Sequence, residues 1–265
     1  MTAPGFTGER LPGAGGEFAV DLARHLAAYR FARARAAGRR VLDAGCGEGY
    51  GAALLAEVAT SVVGVDRPEA VAVARARHAS PRLAFRTADL ERFQAGGARF
   101  DLVVSFQVIE HLVDPERFLR ALVTATAEGG ELLVTTPNRL MSVSENPYHL
   151  REWTAPELLA LAAPVVPGVR MLGVHGSPAV LAWEAARGAA VRRWLRWDPL
   201  RLRRLLPAAA VRWAFPRLAR LVRRRVRGAG APTAIDVDDF TVREGDLDRA
   251  LDLVLWRPAR DGAAS

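Results

Sequence analysis

Residues 41–51 read Val41-Leu42-Asp43-Ala44-Gly45-Cys46-Gly47-Glu48-Gly49-Tyr50-Gly51. An apolar run closes on an acid and passes into four alternating glycines, and residues 52–59 then have helical composition. A strand that becomes a helix through bare backbone brings main-chain N–H groups close to a polar ligand. A dinucleotide-binding turn needs Gly-x-Gly-x-x-Gly. Here Tyr50 occupies the third glycine place. The stretch marks a small-ligand site at the end of a strand and argues against a pyrophosphate cradle.

Outward from that turn, strand-like and helix-like apolar repeats alternate. A helix over 17–37 precedes the strand 40–44, and a helix over 50–58 follows it. The strand 61–65 ends on Asp66, and Arg67-Pro68-Glu69 opens the next helix with Pro in its first turn. Strand 82–86 leads to Asp89-Leu90, and strand 100–105 leads to Phe106-Gln107-Val108-Ile109-Glu110-His111-Leu112. Asp114-Pro115-Glu116 caps a helix, strand 131–135 ends at Thr136-Pro137-Asn138, and Thr154-Ala-Pro-Glu157 is a capping box. Residues 250–256 read as a last strand. This alternation predicts an α/β fold: a Rossmann-like, doubly wound, mostly parallel sheet with ligands at the strand C-termini. Four parts are expected: an N-terminal segment and helix (1–38), the ligand-binding domain (39–183), a basic helical insertion before the last strand (184–232), and a return to the sheet (233–265).

With 265 residues, half of them apolar, the chain can bury a full core. No run is long enough for a membrane span. The opening residues, Met1-Thr-Ala-Pro-Gly-Phe6, lack the charged and apolar regions of a signal peptide, and Cys46 is the sole cysteine. A cytoplasmic protein is expected. Cys46 itself reads as a small residue that fits the turn. The net charge of +8 is not an average property. Fourteen of the 37 basic residues lie in 187–227 against one acid, Asp198, and the remainder is mildly acidic.

Taken together, acid-x-Gly-x-Gly-x-Gly and the strand-end acids resemble class I S-adenosylmethionine (SAM) methyltransferases. The resemblance implies that the glycine turn (Gly45, Cys46, Gly47, Gly49) holds the methionine end of SAM while Asp43 orients its amino group. It implies that Asp66, beside Arg67, accepts the ribose hydroxyls. Asp89 would accept the adenine amino group, Leu90 would offer its amide to the ring, and Phe106 and Gln107 would line the floor beneath the sulfonium.

Methyl transfer to a hydroxyl needs a general base or a metal to manage the proton. Two clusters can supply either: Gln107-Val-Ile-Glu110-His111 and Tyr148-His149-Leu-Arg-Glu152-Trp153. In small-RNA 2′-O-methyltransferases and ubiquinone-pathway O-methyltransferases, a Glu-x-x-Glu-His run and a later His bind a divalent ion. The similar pattern here implies Mg²⁺ or Mn²⁺ on Gln107, Glu110, His111 and His149, with Gln in place of the first Glu. A metal-free base, His111 or His149, and a structural role stay open beside it. His78 reads as solvated. His25 and His175 read as structural, although helix 17–37 and a Gly173-Val-His-Gly-Ser177 loop could bring them to an acceptor pocket.

Phe6-Thr-Gly-Glu-Arg10 and Asn146-Pro-Tyr-His-Leu-Arg-Glu152 narrow the resemblance to bacterial sugar and polysaccharide O-methyltransferases, such as the methylmannose-polysaccharide 1-O-methyltransferases. That implies a sugar, glycan or glycosylated small-molecule acceptor, and a lid formed by the first residues and helix 17–37. A natural-product or quinone acceptor is the alternative, and an inactive membrane-associated scaffold is the alternative of another class. In the insertion, residues 189–227 interleave Trp194, Trp197, Trp213 and Phe215 with arginines. An amphipathic cover on the sheet domain and peripheral contact with a membrane both fit that pattern. Nucleic acid fits the charge alone, since no RNA-binding motif accompanies it. The oligomeric state is open.

Overall fold

A computed structural model describes residues 18–142, 146–195 and 234–260, with the isolated helical positions 217, 221, 222 and 224. In chain order the elements are α1 (Ala19–Ala36), β1 (Arg40–Ala44), α2 (Tyr50–Ala56), β2 (Ser61–Asp66), α3 (Pro68–Arg77) and β3 (Leu83–Thr87). Then come β4 (Phe100–Phe106), α4 (Pro115–Ala125), β5 (Thr126–Pro137), α5 (Ala155–Ala162), β6 (Arg170–Gly176), α6 (Pro178–Leu195), β7 (Phe240–Arg243) and β8 (Asp252–Arg257). Short 3₁₀ turns at Leu90–Arg92 and Ile109–His111 follow β3 and β4.

The strands form one sheet in the order β3-β2-β1-β4-β5-β8-β6-β7. β1 to β5 run parallel, β8 returns antiparallel between β5 and β6, and β7 adds an antiparallel edge. After β3 the chain crosses back to lay β4 beside β1, so the crevice above β1 and β4 is the topological switch point. Ligands of doubly wound sheets bind there. Apolar strands pack both faces, as a parallel sheet requires. One core cluster joins α1, α2, α3 and β7 residues to one face, and a second joins α4 and α5 to the other. The helix starts follow the capping chemistry of the sequence. Asp114 accepts the Arg117 amide at 2.9 Å, and the Thr154 amide donates to Glu157 Oε2 at 2.8 Å.

Two local expectations are corrected and one strand is added. Gly173-Val-His-Gly is not a loop but part of β6, pairing with both β7 and β8. Its glycines hide the strand pattern, yet Gly173 is required because a Cβ there would lie 2.4 Å from Ala250. β7 at the sheet edge is not evident in the sequence, since four residues carry too short an alternation to stand out. β5 starts at Thr126 rather than 131, where its pairing with β4 shifts register between Phe100 and Leu102. The chain thus returns to the sheet in two strands, and α6 runs across the 183/184 boundary. No helix among the described residues is long and apolar enough to cross a membrane.

Candidate functional site

The glycine turn sits on the switch point. Gly45, Gly47 and Gly49 have φ of +93°, +55° and +86°, an alternation of left-handed backbone that only glycine adopts without strain. Gly45 faces the segment after β4 so closely that a Cβ would lie 2.2 Å from Val108 Cγ2. At Gly49, a Cβ would lie 2.6 Å from the Phe85 ring. A Cβ on Gly47 would meet nothing, so that stretch of backbone faces open space and admits a ligand. Cys46 is buried, with its sulfur close against Gly64, and burial pushes its thiol pKa up. It is the small packing residue the sequence suggests.

The carboxylates expected to hold SAM stand around this turn in distinct states. Asp66 ends β2, takes the Gly47 amide on Oδ2 at 2.8 Å and takes the Arg67 amide on Oδ1 at 2.7 Å. The turn and the acid expected to take the ribose are therefore one hydrogen-bonded unit. Asp89 caps the 3₁₀ turn that begins at Leu90, accepting the Glu91 amide at 3.0 Å while staying exposed. Asp43 is fully buried at the end of β1, and its carboxyl is pushed up to about 7 by that burial. The Tyr29 hydroxyl of α1 donates to both of its oxygens. Phe106 packs edge-on against Tyr29, with ring centroids 4.8 Å apart. Gln107 takes a left-handed backbone (φ +57°), and its amide lies beside Thr135 and Asp252.

Next to this cofactor half, Glu110, His111 and His149 bring one ligand atom each to within 4.8 Å of one another. Two long-range segments are stitched together to do so. The Leu150 amide donates to the Glu110 carbonyl at 2.8 Å, and His111 Nδ1 bonds the Tyr148 carbonyl at 3.0 Å. Glu110 is 1% exposed; Thr136 Oγ1 donates to its Oε2 at 3.0 Å, while Oε1 has no hydrogen-bond partner among the described residues. Burial raises its carboxyl to about 7 and lowers His111 to about 4. His149 Nδ1 bonds Glu152 Oε1 at 2.6 Å, and Nε2 meets the Asn146 side-chain amide at 2.8 Å.

A family model for a methyltransferase domain matches residues 18–215. The chain belongs to the methyltransferase-domain family. Among curated relatives, a probable SAM-dependent methyltransferase of Mycolicibacterium smegmatis is 45% identical over 162 residues, covering 58% of this chain and 62% of the relative. A ubiquinone biosynthesis O-methyltransferase of Caulobacter sp. is 37% identical over 108 residues, covering 39% of this chain and 43% of the relative. The chain thus spans about six-tenths of the M. smegmatis relative. A solved Thermotoga maritima SAM-dependent methyltransferase, described as a possible histamine N-methyltransferase, shares the fold with a TM-score of 0.57 at 16% identity, over 92% of each chain.

Within this methyltransferase domain the cluster suits a divalent ion. The Nδ1 bonds of His111 to a carbonyl and of His149 to a carboxylate orient both rings as in metal-ligating histidines, although the Asn146 amide, 2.8 Å from His149 Nε2, would have to give way to an ion. The orphaned Glu110 Oε1 supplies an anionic oxygen. A His111 pKa near 4 keeps that ring neutral at physiological pH, as ligation requires. The Gln107 side chain, expected as a fourth ligand, turns instead to Thr135 and Asp252.

Sequence reasoning does not single out three residues that shape the site. Asp252, at the start of β8, is buried, and burial raises its pKa. Its Oδ2 pairs with Arg24 of α1 at 3.3 Å. Tyr29 fits an apolar helix face in the sequence, and in the structure it joins α1 to Asp43. No local pattern marks any of them, because their partners lie on strands far along the chain. His25 packs among Tyr29, Tyr50 and Phe106, and burial lowers its pKa to about 4. His175 is buried in β6 beside Arg243. His78 is half-buried at the end of α3 rather than solvated. The expected lid segment 6–10, Trp197, Trp213 and Phe215 lie outside the described residues, as does the side chain of Trp194. Of the insertion's apolar face, Val222 is buried in the α1-side core, while Arg217 and Arg224 are exposed.

Proposed function

We propose that the chain is a SAM-dependent O-methyltransferase acting on a hydroxyl of a sugar, glycan or glycosylated small molecule. The observation carrying this reading is the Glu110–His111–His149 cluster beside the glycine turn at the switch point. Glu110, His111 and His149 would hold Mg²⁺ or Mn²⁺, and Gln107 could join them only by leaving Thr135 and Asp252. When bound, such an ion lowers the pKa of a coordinated hydroxyl. The acceptor oxygen attacks the methyl carbon as the S–CH₃ bond breaks, and the sulfur keeps the electron pair. The products are the methyl ether and S-adenosylhomocysteine (SAH). The hydroxyl proton passes to a base of the cluster. Glu110, raised to about 7 by burial, is matched to that task near neutrality when it is not itself ligating the ion. The glycine turn with Asp43, Asp66 and Asp89 holds and orients the cofactor.

One observation favours a metal-free variant. The 2.6 Å His149–Glu152 contact is a carboxylate-oriented imidazole, which serves as a general base without an ion. The ubiquinone-pathway relative keeps a quinone or natural-product acceptor as the second substrate class. Calorimetric titration of SAH and then Mn²⁺ into wild-type protein and His149→Ala separates these readings. SAH binding with an Mn²⁺ signal lost in the variant supports the metal-assisted form. SAH binding with no Mn²⁺ signal supports the His149 base. Absence of SAH binding would sink the enzyme and revive the scaffold reading. Association of 189–227 with a membrane is proposed only as peripheral contact, to be tested by sedimentation with anionic vesicles.

A further inference from the structure

Tyr29 and Asp43 form a buried pair between α1 and the glycine turn. The phenol donates to Oδ2 at 3.0 Å and to Oδ1 at 3.2 Å. The Tyr29 ring also fills the space beside the fourth glycine of the turn: a Cβ at Gly51 would lie 2.0 Å from it. The same ring meets Phe106 at 4.8 Å and Tyr50 at 6.0 Å. One side chain of α1 therefore touches the acid at the end of β1, the start of α2 and the end of β4. These are three of the places from which a cofactor in the switch-point crevice would be held.

The groups facing Asp43 explain why the contact matters. They are Tyr29, Cys46, Tyr50 and Asp66, and no salt bridge reaches Asp43 among the described residues. A carboxylate offers about four acceptor sites. With no cation nearby, a buried one reverts readily to its neutral acid. The phenol opposes that reversion, and the remaining negative potential behind the turn favours a cation on its open side.

We propose that Tyr29 is a positioning residue for the methionyl end of SAM, holding Asp43 oriented and ionised so that the turn receives the cofactor's α-ammonium. This rests on the SAM-binding reading above. It makes the seating of α1 and the binding of the amino-acid end of the cofactor one coupled event. The adenosine end would be held at Asp66 and Asp89, neither of which hydrogen-bonds Tyr29 among the described residues, so it depends far less on that side chain.

The test compares SAH with 5′-methylthioadenosine, which lacks the amino-acid end, by calorimetry on the full chain between pH 6 and 8.5. Tyr29→Phe keeps the ring against Gly51 and removes only the donor. The variant is expected to weaken SAH about tenfold at pH 7, ordinary for one hydrogen bond to a charged group, and to leave 5′-methylthioadenosine unchanged. Wild-type affinity for SAH should fall as pH drops through about 7, where Asp43 takes up its proton. In Tyr29→Phe that midpoint should move upward, because the lost bond had favoured the ionised form. Asp43→Asn should abolish the pH dependence. Unchanged SAH affinity and midpoint in Tyr29→Phe would overturn the proposal. Equal losses for both ligands would overturn it too, since they would mark a structural role. A wild-type chain that binds neither ligand fails the SAM reading itself, and the proposal with it.

Discussion

The glycine turn and the polar cluster around Glu110 lie side by side at the switch point, yet they are built from different materials. The turn is backbone. Its shape comes from left-handed glycines and from neighbours that leave no room for a Cβ, such as Phe85 beside Gly49. The cluster is side chains, delivered by the turn after β4 and by the segment 148–152, and steadied by Thr136 of β5. A backbone site fails by steric insertion, whereas a side-chain site fails by loss of one donor. Removing either should therefore leave the other's ligand in place.

The largest separation should come from Glu110→Ala. Methyl transfer from labelled SAM, to whichever acceptor the wild type modifies, is expected to fall by about 10³-fold, the scale of a lost general base. SAH affinity should stay within about twofold, because the turn is untouched. A variant that loses SAH along with turnover would break the separation and make Glu110 part of the cofactor half.

Gly49→Ala is the reciprocal change. The added methyl meets Phe85 and Ala74 while the backbone remains left-handed, so the turn must shift. Overpacking of this kind costs about 1–3 kcal/mol, and SAH affinity should fall by at least the corresponding factor. Binding of Mn²⁺ without SAH should survive. Glu152→Gln is gentler. It keeps the size of the partner of His149 Nδ1 but removes its charge. Changing the group that orients a ligating imidazole weakens metal by about 10–100-fold, read as an Mn²⁺ titration, with SAH affinity unchanged. An unaltered Mn²⁺ affinity would mean that the charge of Glu152 plays no part in holding the ion.

These contrasts also explain what can be read from the chain. The cofactor half is legible because its parts are local. Strand, acid and glycine turn occupy consecutive residues, and each strand-end acid follows its own strand, so periodicity and spacing place them at the switch point, while their cofactor roles rest on the resemblance. Glu110, His111 and His149 are legible as two short motifs, but their meeting depends on the Leu150–Glu110 backbone bond, which no spacing announces. Tyr29 and Asp252 are illegible for a related reason. Tyr29 occupies an ordinary apolar helix position and becomes polar chemistry only because Asp43 ends the strand beneath it. Asp252 opens a strand whose neighbours, β5 and β6, are set by a return of the chain after the basic segment. The glycines of β6 mask it as a strand, and with it the buried setting of His175.

The smallest effect tests whether the cluster holds charge against its own stability. Burial raises the Glu110 carboxyl from 4.5 to about 7, so the native state binds more protons than the unfolded chain between those values. Stability then falls as pH rises from about 4.5 to 7, and the whole penalty is present above 7. Gln at this position stays neutral, and its carbonyl can still accept from Thr136. Glu110→Gln is therefore expected to melt higher than wild type at pH 8 in the presence of EDTA. The gain is on the order of 1–3 kcal/mol, or several degrees, shrinking to nothing near pH 4.5. His111 is lowered by burial and contributes the opposite slope, but it is present in both proteins and largely cancels in the difference. Asp43 cancels in the same way. Higher stability with turnover lost would place Glu110 among residues kept for chemistry at a cost to the fold. A variant that melts lower than wild type at pH 8 would mean that the charge is already compensated within the cluster. The orphaned oxygen would then be a structural contact, and the two halves of the site would differ less than their construction suggests.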